Sequence, residues 1–383
     1  MDSLPSKRKR QSEQKDSMNF DIQIAHSVAE LGEDAWDALS GGRPLSSFRW
    51  YRFGEAVLRD CPPTYIVLSH SGEPVARAAL WLKRREWVPI TSQVVRSGAE
   101  HLLYRWPLLT CETPLVSLPG LILPDGPTRS AALETIARAS QELGKRARAS
   151  FTLFGYVDQQ DAQLGGWPKA YSPISYPDEE TSLDITWPDF DSCIKHLAKS
   201  TRRNYRLHGL KADELGIVIT THPGVLDINQ ATTLTHNVNT YHHLGHRPWT
   251  RAILENSGLV DSTWIAAHVG DRLVGCCSVI GDGGVLHATL LGLDYSFPES
   301  RYVYYQIMYA AVRCAIESGA RVLYGGGGAY ELKRRLGFTK LPDNYMMVAA
   351  STQWLRWLTR GAIRLLELQK ANVYPQSAPN DQD

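Results

Sequence analysis

Residues 264–291 read WIAAHVGDRLVGCCSVIGDGGVLHATLL. Three apolar runs, 264–269, 273–280 and 285–291, are separated by Gly270-Asp271 and by Gly281-Asp282-Gly283-Gly284. Gly and Asp accept the left-handed backbone of tight hairpins, so the stretch predicts three antiparallel strands in a meander. A helix should follow from near Arg301. Ile307, Ala311, Cys314 and Ala315 stand at i, i+4, i+7 and i+8 and share one face. Gly319 sits where a helix ends on a left-handed residue. A short strand at 321–324 then opens into Gly325, Gly326, Gly327 and Gly328.

The upstream chain shows a similar order of elements with little sequence likeness. Trp50, Phe53, Ala56 and Val57 place a helix over 46–58. Runs at 64–68 and 75–82 around Ser71-Gly72 predict a hairpin. An apolar run at 115–123, a helix over 129–148 and a strand at 151–154 complete this half. Tyr176-Pro177-Asp178-Glu179-Glu180 reads as a polar connector, and Leu183-Asp184-Ile185 as a short strand beyond it. The expected organisation is a basic tail at 1–18, a first domain at 19–180, a second at 181–350, an amphipathic helix at 351–372 and a polar tail at 373–383.

Composition narrows the class. With 383 residues the chain exceeds one small core, because domains run to about 100–200 residues. A net charge of +1 gives no global signature of a nucleic-acid binder, and no DNA contact is expected. None of the six cysteines has CxxC spacing, and Cys276-Cys277 lies in an apolar run, so buried packing is expected rather than metal or redox chemistry. His242, His243 and His246 lack an acidic or thiolate companion, and no metal site is expected. The chain has no apolar run of about 18 residues, so no membrane-spanning helix is expected. Trp354, Leu355, Trp357, Leu358, Leu365 and Leu366 alternate with Arg356, Arg360 and Arg364. This pattern suits either a helix lying on a membrane or packing against the protein's own surface.

The order meander, helix, strand, glycines resembles the GNAT acyltransferase fold. Thr201-Arg202-Arg203-Asn204, the segment 210–216, and the run from Gly325 through Ala329-Tyr330-Glu331-Leu332-Lys333-Arg334 resemble the FemAB/FemX-like branch and the related BioF2-like acetyltransferase domains. The likeness spans roughly 183–347, less than half of the chain. Phe48-Arg49-Trp50 and the Gly72 hairpin are similar to the first half of the same tandem architecture. The resemblance implies an α/β (α+β) fold of two GNAT-like halves, each a mostly antiparallel mixed sheet flanked by helices. It implies a cytoplasmic enzyme that moves an acyl or aminoacyl group onto an amine acceptor, a cell-wall precursor or a small metabolite. The co-substrate would be acyl-CoA or aminoacyl-tRNA, with tRNA then a partner and no tightly bound cofactor.

One departure bears on the donor. Ordinary GNAT enzymes hold the CoA pyrophosphate on a glycine-rich loop before the helix that follows the meander. Here that segment is Tyr295-Ser296-Phe297-Pro298-Glu299-Ser300-Arg301-Tyr302. It has no glycine, Pro298 lacks an N–H to donate, and Glu299 opposes an anion.

Acyl transfer needs positioning, a route for the amine proton and stabilisation of an oxyanion. Lys333 falls where the family's lysine follows the glycines, and its charge suits a phosphate or the oxyanion. Tyr330 is a candidate hydrogen-bond donor. His287, on the third meander strand, and Asp294, past its end, are candidate bases. Arg202, Arg203, Arg334, Tyr305 and the four glycines are the expected substrate-binding set, Arg202 and Arg203 belonging to a basic cluster with Lys199 and Arg206. Two rival readings remain: a catalytically inactive binding module for a nucleotide-linked or peptide ligand, and an RNA-contacting protein that uses its basic tail.

Overall fold

The computed structural model describes residues 20–85, 93–176, 180–243 and 247–357. The first half runs β1 (Asp21–Ala25), α1 (Glu33–Ser40), α2 (Phe48–Val57), β2 (Pro63–His70), β3 (Glu73–Lys83), α3 (Gln93–Arg105) and β4 (Leu108–Cys111). It continues with β5 (Leu121–Ile122), α4 (Arg129–Arg146), β6 (Phe151–Val157), α5 (Gln159–Ala162) and β7 (Tyr171–Tyr176). The second half runs β8 (Thr181–Asp184), α6 (Phe190–His196), α7 (Lys199–Glu214), β9 (Ile217–His222), α8 (Ile228–Tyr241) and α9 (Thr250–Asn256). Then come β10 (Asp261–Val269), β11 (Arg272–Asp282), β12 (Val285–Leu293), α10 (Ser300–Glu317), β13 (Val322–Tyr324), α11 (Tyr330–Arg335), β14 (Thr339–Lys340) and β15 (Asn344–Ala350).

The meander forms as its turns dictate, with β10, β11 and β12 pairing antiparallel in sequence order. Gly270, Gly283 and Gly284 all have positive φ. The α10 helix closes as its sequence implies: Gly319 is left-handed, and the Ala320 N–H reaches back to Ala315 O. In the first half the 115–123 run yields only the two-residue β5, while β4 lies upstream of it.

The first sheet borrows a strand from the second half. The first has the order β1-β2-β3-β4-β6-β15-β7, with β5 on β3; the second has β14-β8-β13-β12-β11-β10-β9. In each, two parallel neighbours are joined through a long helix: β4 and β6 through α4, β12 and β13 through α10. In each, a strand distant in sequence lies beyond that pair. β8, which follows β7, inserts between β13 and β14; β15, which follows β14, inserts between β6 and β7. The segment 344–350, assigned by sequence to the second domain, is thus a strand of the first sheet.

Three apolar layers result. Outside the first sheet, α4 packs Leu133 and Ile136 on Leu68, Leu80 and Phe154. Outside the second, α10 packs Val303, Ile307 and Ala311 on Ile265, Val274 and Leu323. Between the sheets lies a shared core that joins Trp50, Phe53 and Trp81 to Leu234, Trp264 and Ile280. Ser47 caps α2 by accepting from the Trp50 N–H, and its own hydroxyl donates to Asp282 of the other half. Arg49 bridges to Asp261 at 2.8 Å and Asp282 at 3.1 Å across the same boundary.

Candidate active site

The second sheet splits open where β12 and β13 part. They pair only through Val285–His287 against Val322–Tyr324. Past His287, β12 stays bonded to β11 alone. There it carries a bulge: Ser278 faces Thr289 and Cys276 faces Gly292, so Leu290 and Leu291 oppose Cys277 together. Leu290 adopts φ +52, and a bulge leaves an extra residue outside the ladder. The cleft so formed is bordered by His287 and Tyr324, whose rings sit edge-on at 6.5 Å.

Glu180, the last residue of the expected polar connector, is 7% exposed and closes the floor of this cleft. It accepts the Gly326 N–H at 2.5 Å and the Thr181 N–H at 3.1 Å through Oε1. Its Oε2 stands 3.5 Å from His287 Nε2, long for a hydrogen bond but close for charge. Burial would raise the Glu180 pKa, yet the His287 charge and the two N–H groups outweigh it and hold the carboxyl below its ordinary range. His287 is itself buried, and its Nε2 makes no hydrogen bond among the described residues. A buried polar atom left this way is costly unless something else fills its valence.

The glycine run is a rigid shelf. Gly325 donates to Thr181 O, and a Cβ there would meet Phe338 and Thr181 at 2.9 Å. Gly326 lies against His287 and has φ +72, a left-handed backbone that favours glycine. Lys333 lies beneath, 3% exposed, donating to the carbonyls of Gly326 at 2.9 Å and Gly327 at 3.1 Å. Thr181 Oγ1 also donates to Gly326 O. Burial pulls the Lys333 pKa down from 10.5 to about 8, against the opposing pull of Glu180.

The remaining candidates fall in other places. Tyr305 lines a cavity of about 310 Å³ between α7, α10 and α11, with Thr201, Asn204, His208, Tyr309, Glu331, Leu332 and Arg335. His208 stacks flat on Tyr305 at 4.0 Å, and its Nδ1 is 2.8 Å from the Tyr309 hydroxyl. Arg202 donates to the carbonyls of Lys195 at 3.1 Å and Leu197 at 2.6 Å, closing the end of α6. Arg203 is exposed on α7. Arg334 pairs with Glu331 at 3.0 Å on the surface, and Tyr330 is 40% exposed. Asp294 is not brought to His287: the six residues 288–293 of β12 separate them, roughly 20 Å. Its carboxylate takes Arg272 Nε at 3.0 Å and the Ser296 N–H at 2.9 Å. Burial works to raise its pKa, but Ser296 and Arg272 prevail and lower it.

Cys276 and Cys277 are buried, and burial pushes the Cys277 thiol up to about 12. Among the described residues no cluster of His, Cys, Asp or Glu could hold a metal; His246 lies outside them. No described helix is long and apolar enough to cross a membrane.

Glu180 was missed by sequence reasoning. Its signal, an acid directly before a short strand, is indistinguishable from a solvated linker until the strand is seen to pair between β13 and β14.

A parallel pair joined through a long helix in each sheet, parting over a bulge in the second, with β15 of the second half completing the first, decides the architecture. The chain has the tandem GNAT fold. Two solved structures agree. FemX matches with a TM-score of 0.56 at 12% identity, covering 88% of this chain and 99% of its own. A tandem GNAT protein from the clavulanic acid biosynthesis pathway, solved without acetyl-CoA, matches with a TM-score of 0.51 at 12% identity, covering 87% and 99%. No protein-family profile matches the sequence, and no curated protein is similar to it.

Proposed function

We propose that the chain is an N-acyltransferase, moving an acyl or aminoacyl group from an activated donor to an amine in the cleft between β12 and β13. The observation that carries this reading is the buried Glu180–His287 pair on the floor of that cleft. An incoming amine would meet Glu180 Oε2 and His287 Nε2, which stand 3.5 Å apart, from the open side of the cleft. The carboxylate, held below its ordinary range, attracts the ammonium; the imidazole, in its neutral form, takes the proton that the amine must lose before it attacks. The bulge at Leu290–Leu291 supplies backbone amide for the oxyanion. Lys333 acts here as a positioning residue, locking the Gly326–Gly327 carbonyls so that the shelf does not move. Arg203 and the aromatic cavity at Tyr305 are the proposed seat of the donor, beside the shelf on α11.

The donor that this geometry favours is aminoacyl-tRNA, or acyl-CoA held without the usual pyrophosphate loop. Two amides at the start of α10 are already spent: Ser300 donates to Phe297 O, and Tyr302 to Glu299 O. An inactive binding module would use the same cleft with no need of the proton route.

The test is transfer to a panel of amines from acyl-CoA and from charged tRNA, with calorimetric titration of CoA beside it. CoA affinity weaker than millimolar is expected. Glu180→Gln and His287→Ala should each lower turnover by about 10²–10⁴-fold with the fold intact. Full activity in both variants would refute the proton route. Tight ligand binding with no transfer from either donor would leave the binding module as the correct reading.

A further inference from the structure

One end of the first sheet carries an aromatic surface that the transfer reaction does not use. Tyr104 is 62% exposed, Trp106 46%, Trp354 53% and Trp357 75%. Large aromatic groups at such exposure are a cost to a surface in water unless something covers them. They belong together: the Trp106 and Trp354 rings meet edge to face at 6.4 Å. The backbone ties them too. Ser150 Oγ donates to Trp106 O, and the Ser351 N–H to Ser150 O.

Cations surround the rings. Arg105 follows Tyr104, and Arg356 lies between the two C-terminal tryptophans. The end of α4 adds Lys145, Arg146 and Arg148, all exposed, and Lys145 and Arg356 line one shallow hollow of about 70 Å³. The acid of this stretch, Glu142, is paired to Lys145 at 2.6 Å. The sequence beyond Trp357 goes on alternating apolar and basic residues, with Leu358, Ile363, Leu365 and Leu366 among Arg360 and Arg364.

We propose that this face docks on an anionic lipid surface, independently of the reaction in the second half. Indole and phenol rings sit well at the headgroup level, where one edge is apolar and the other wet. Arginines beside them meet lipid phosphates. A nucleic acid would instead want rings laid flat for base stacking, whereas these two meet at 72°.

The test is co-sedimentation of the full chain with vesicles of phosphatidylcholine alone and of equal parts phosphatidylcholine and phosphatidylglycerol. Binding is expected to the mixed vesicles and not to the neutral ones, and it should fall as salt is raised. Arg146→Ala with Arg148→Ala should weaken it roughly 25-fold. Trp354→Ala with Trp357→Ala should weaken it at least as much; all four positions are exposed, so the melting temperature should stay unchanged. Failure to bind mixed vesicles at low salt overturns the proposal, as does binding that survives both double variants. An RNA homopolymer bound in place of vesicles would assign the face to nucleic acid. Self-association abolished by the tryptophan changes, without vesicle binding, would assign it to a second copy of the chain.

Discussion

At Lys333 the sequence and the fold put one charge to two different uses. Its place after the glycines was legible in the sequence, where its charge suggested a phosphate or an oxyanion. In the fold that charge is turned inward onto two carbonyls. The burial has a measurable signature. The folded pKa is about 8 against an ordinary 10.5, so between those pH values the unfolded chain holds a proton that the folded chain has lost. Stability contributed by Lys333 therefore rises with pH across that window, by on the order of 3 kcal/mol, and is lost as pH falls through 8. Urea unfolding of the wild type and of Lys333→Met should diverge over this range, the wild type gaining with pH while the variant lacks this gain. Parallel pH profiles would show that the ammonium is solvated. Glu180 was illegible for a complementary reason. Nothing local distinguishes a carboxylate in a linker from one that receives two backbone N–H groups, because those donors come from Thr181 and from Gly326, far along the chain.

Elements with strong local signals were read well. The β10–β12 meander, the α10 helix with its Gly319 stop, and the β2–β3 hairpin all follow from turn chemistry and apolar period. Elements defined by their partners were not. The strand β4 has only four residues, and β15 reads as a bland apolar run whose neighbours no periodicity can name. The arginine helix is an intermediate case. Its basic face was visible, but Arg202 turns out to close the preceding helix. Arg202→Ala should cost about 1–2 kcal/mol in unfolding free energy and leave the KM for an anionic donor unchanged. A rise in KM of tenfold with unaltered stability would mean that the guanidinium faces substrate. The amphipathic segment at 351–372 is described only as far as 357, where 353–357 are helical.

At the scale of the molecule, a fold of two mixed sheets flanked by helices was legible and the entanglement of the two sheets was not. The first sheet lacks a strand until β15 arrives to lie between β6 and β7. Residues 1–180 expressed alone should therefore be insoluble or unfolded by circular dichroism. Co-expression with 181–383 should restore a complex that purifies as one species. A stable, monomeric 1–180 fragment would show that the gap between β6 and β7 closes by itself. The register sharpens the point. Tyr176 leaves the first sheet directly opposite Asn344, which re-enters it, and Thr181 likewise stands opposite Lys340 in the second. The whole second half is thus a loop on a single hairpin of the first. On the ribosome this fixes an order of events. The emerging first half must wait, its slot between β6 and β7 unfilled and its strand edges open, until the second half has been made and residue 350 has cleared the exit tunnel. The nascent chain is most vulnerable to aggregation in that interval, and a chaperone that binds open strand edges would have its longest opportunity there.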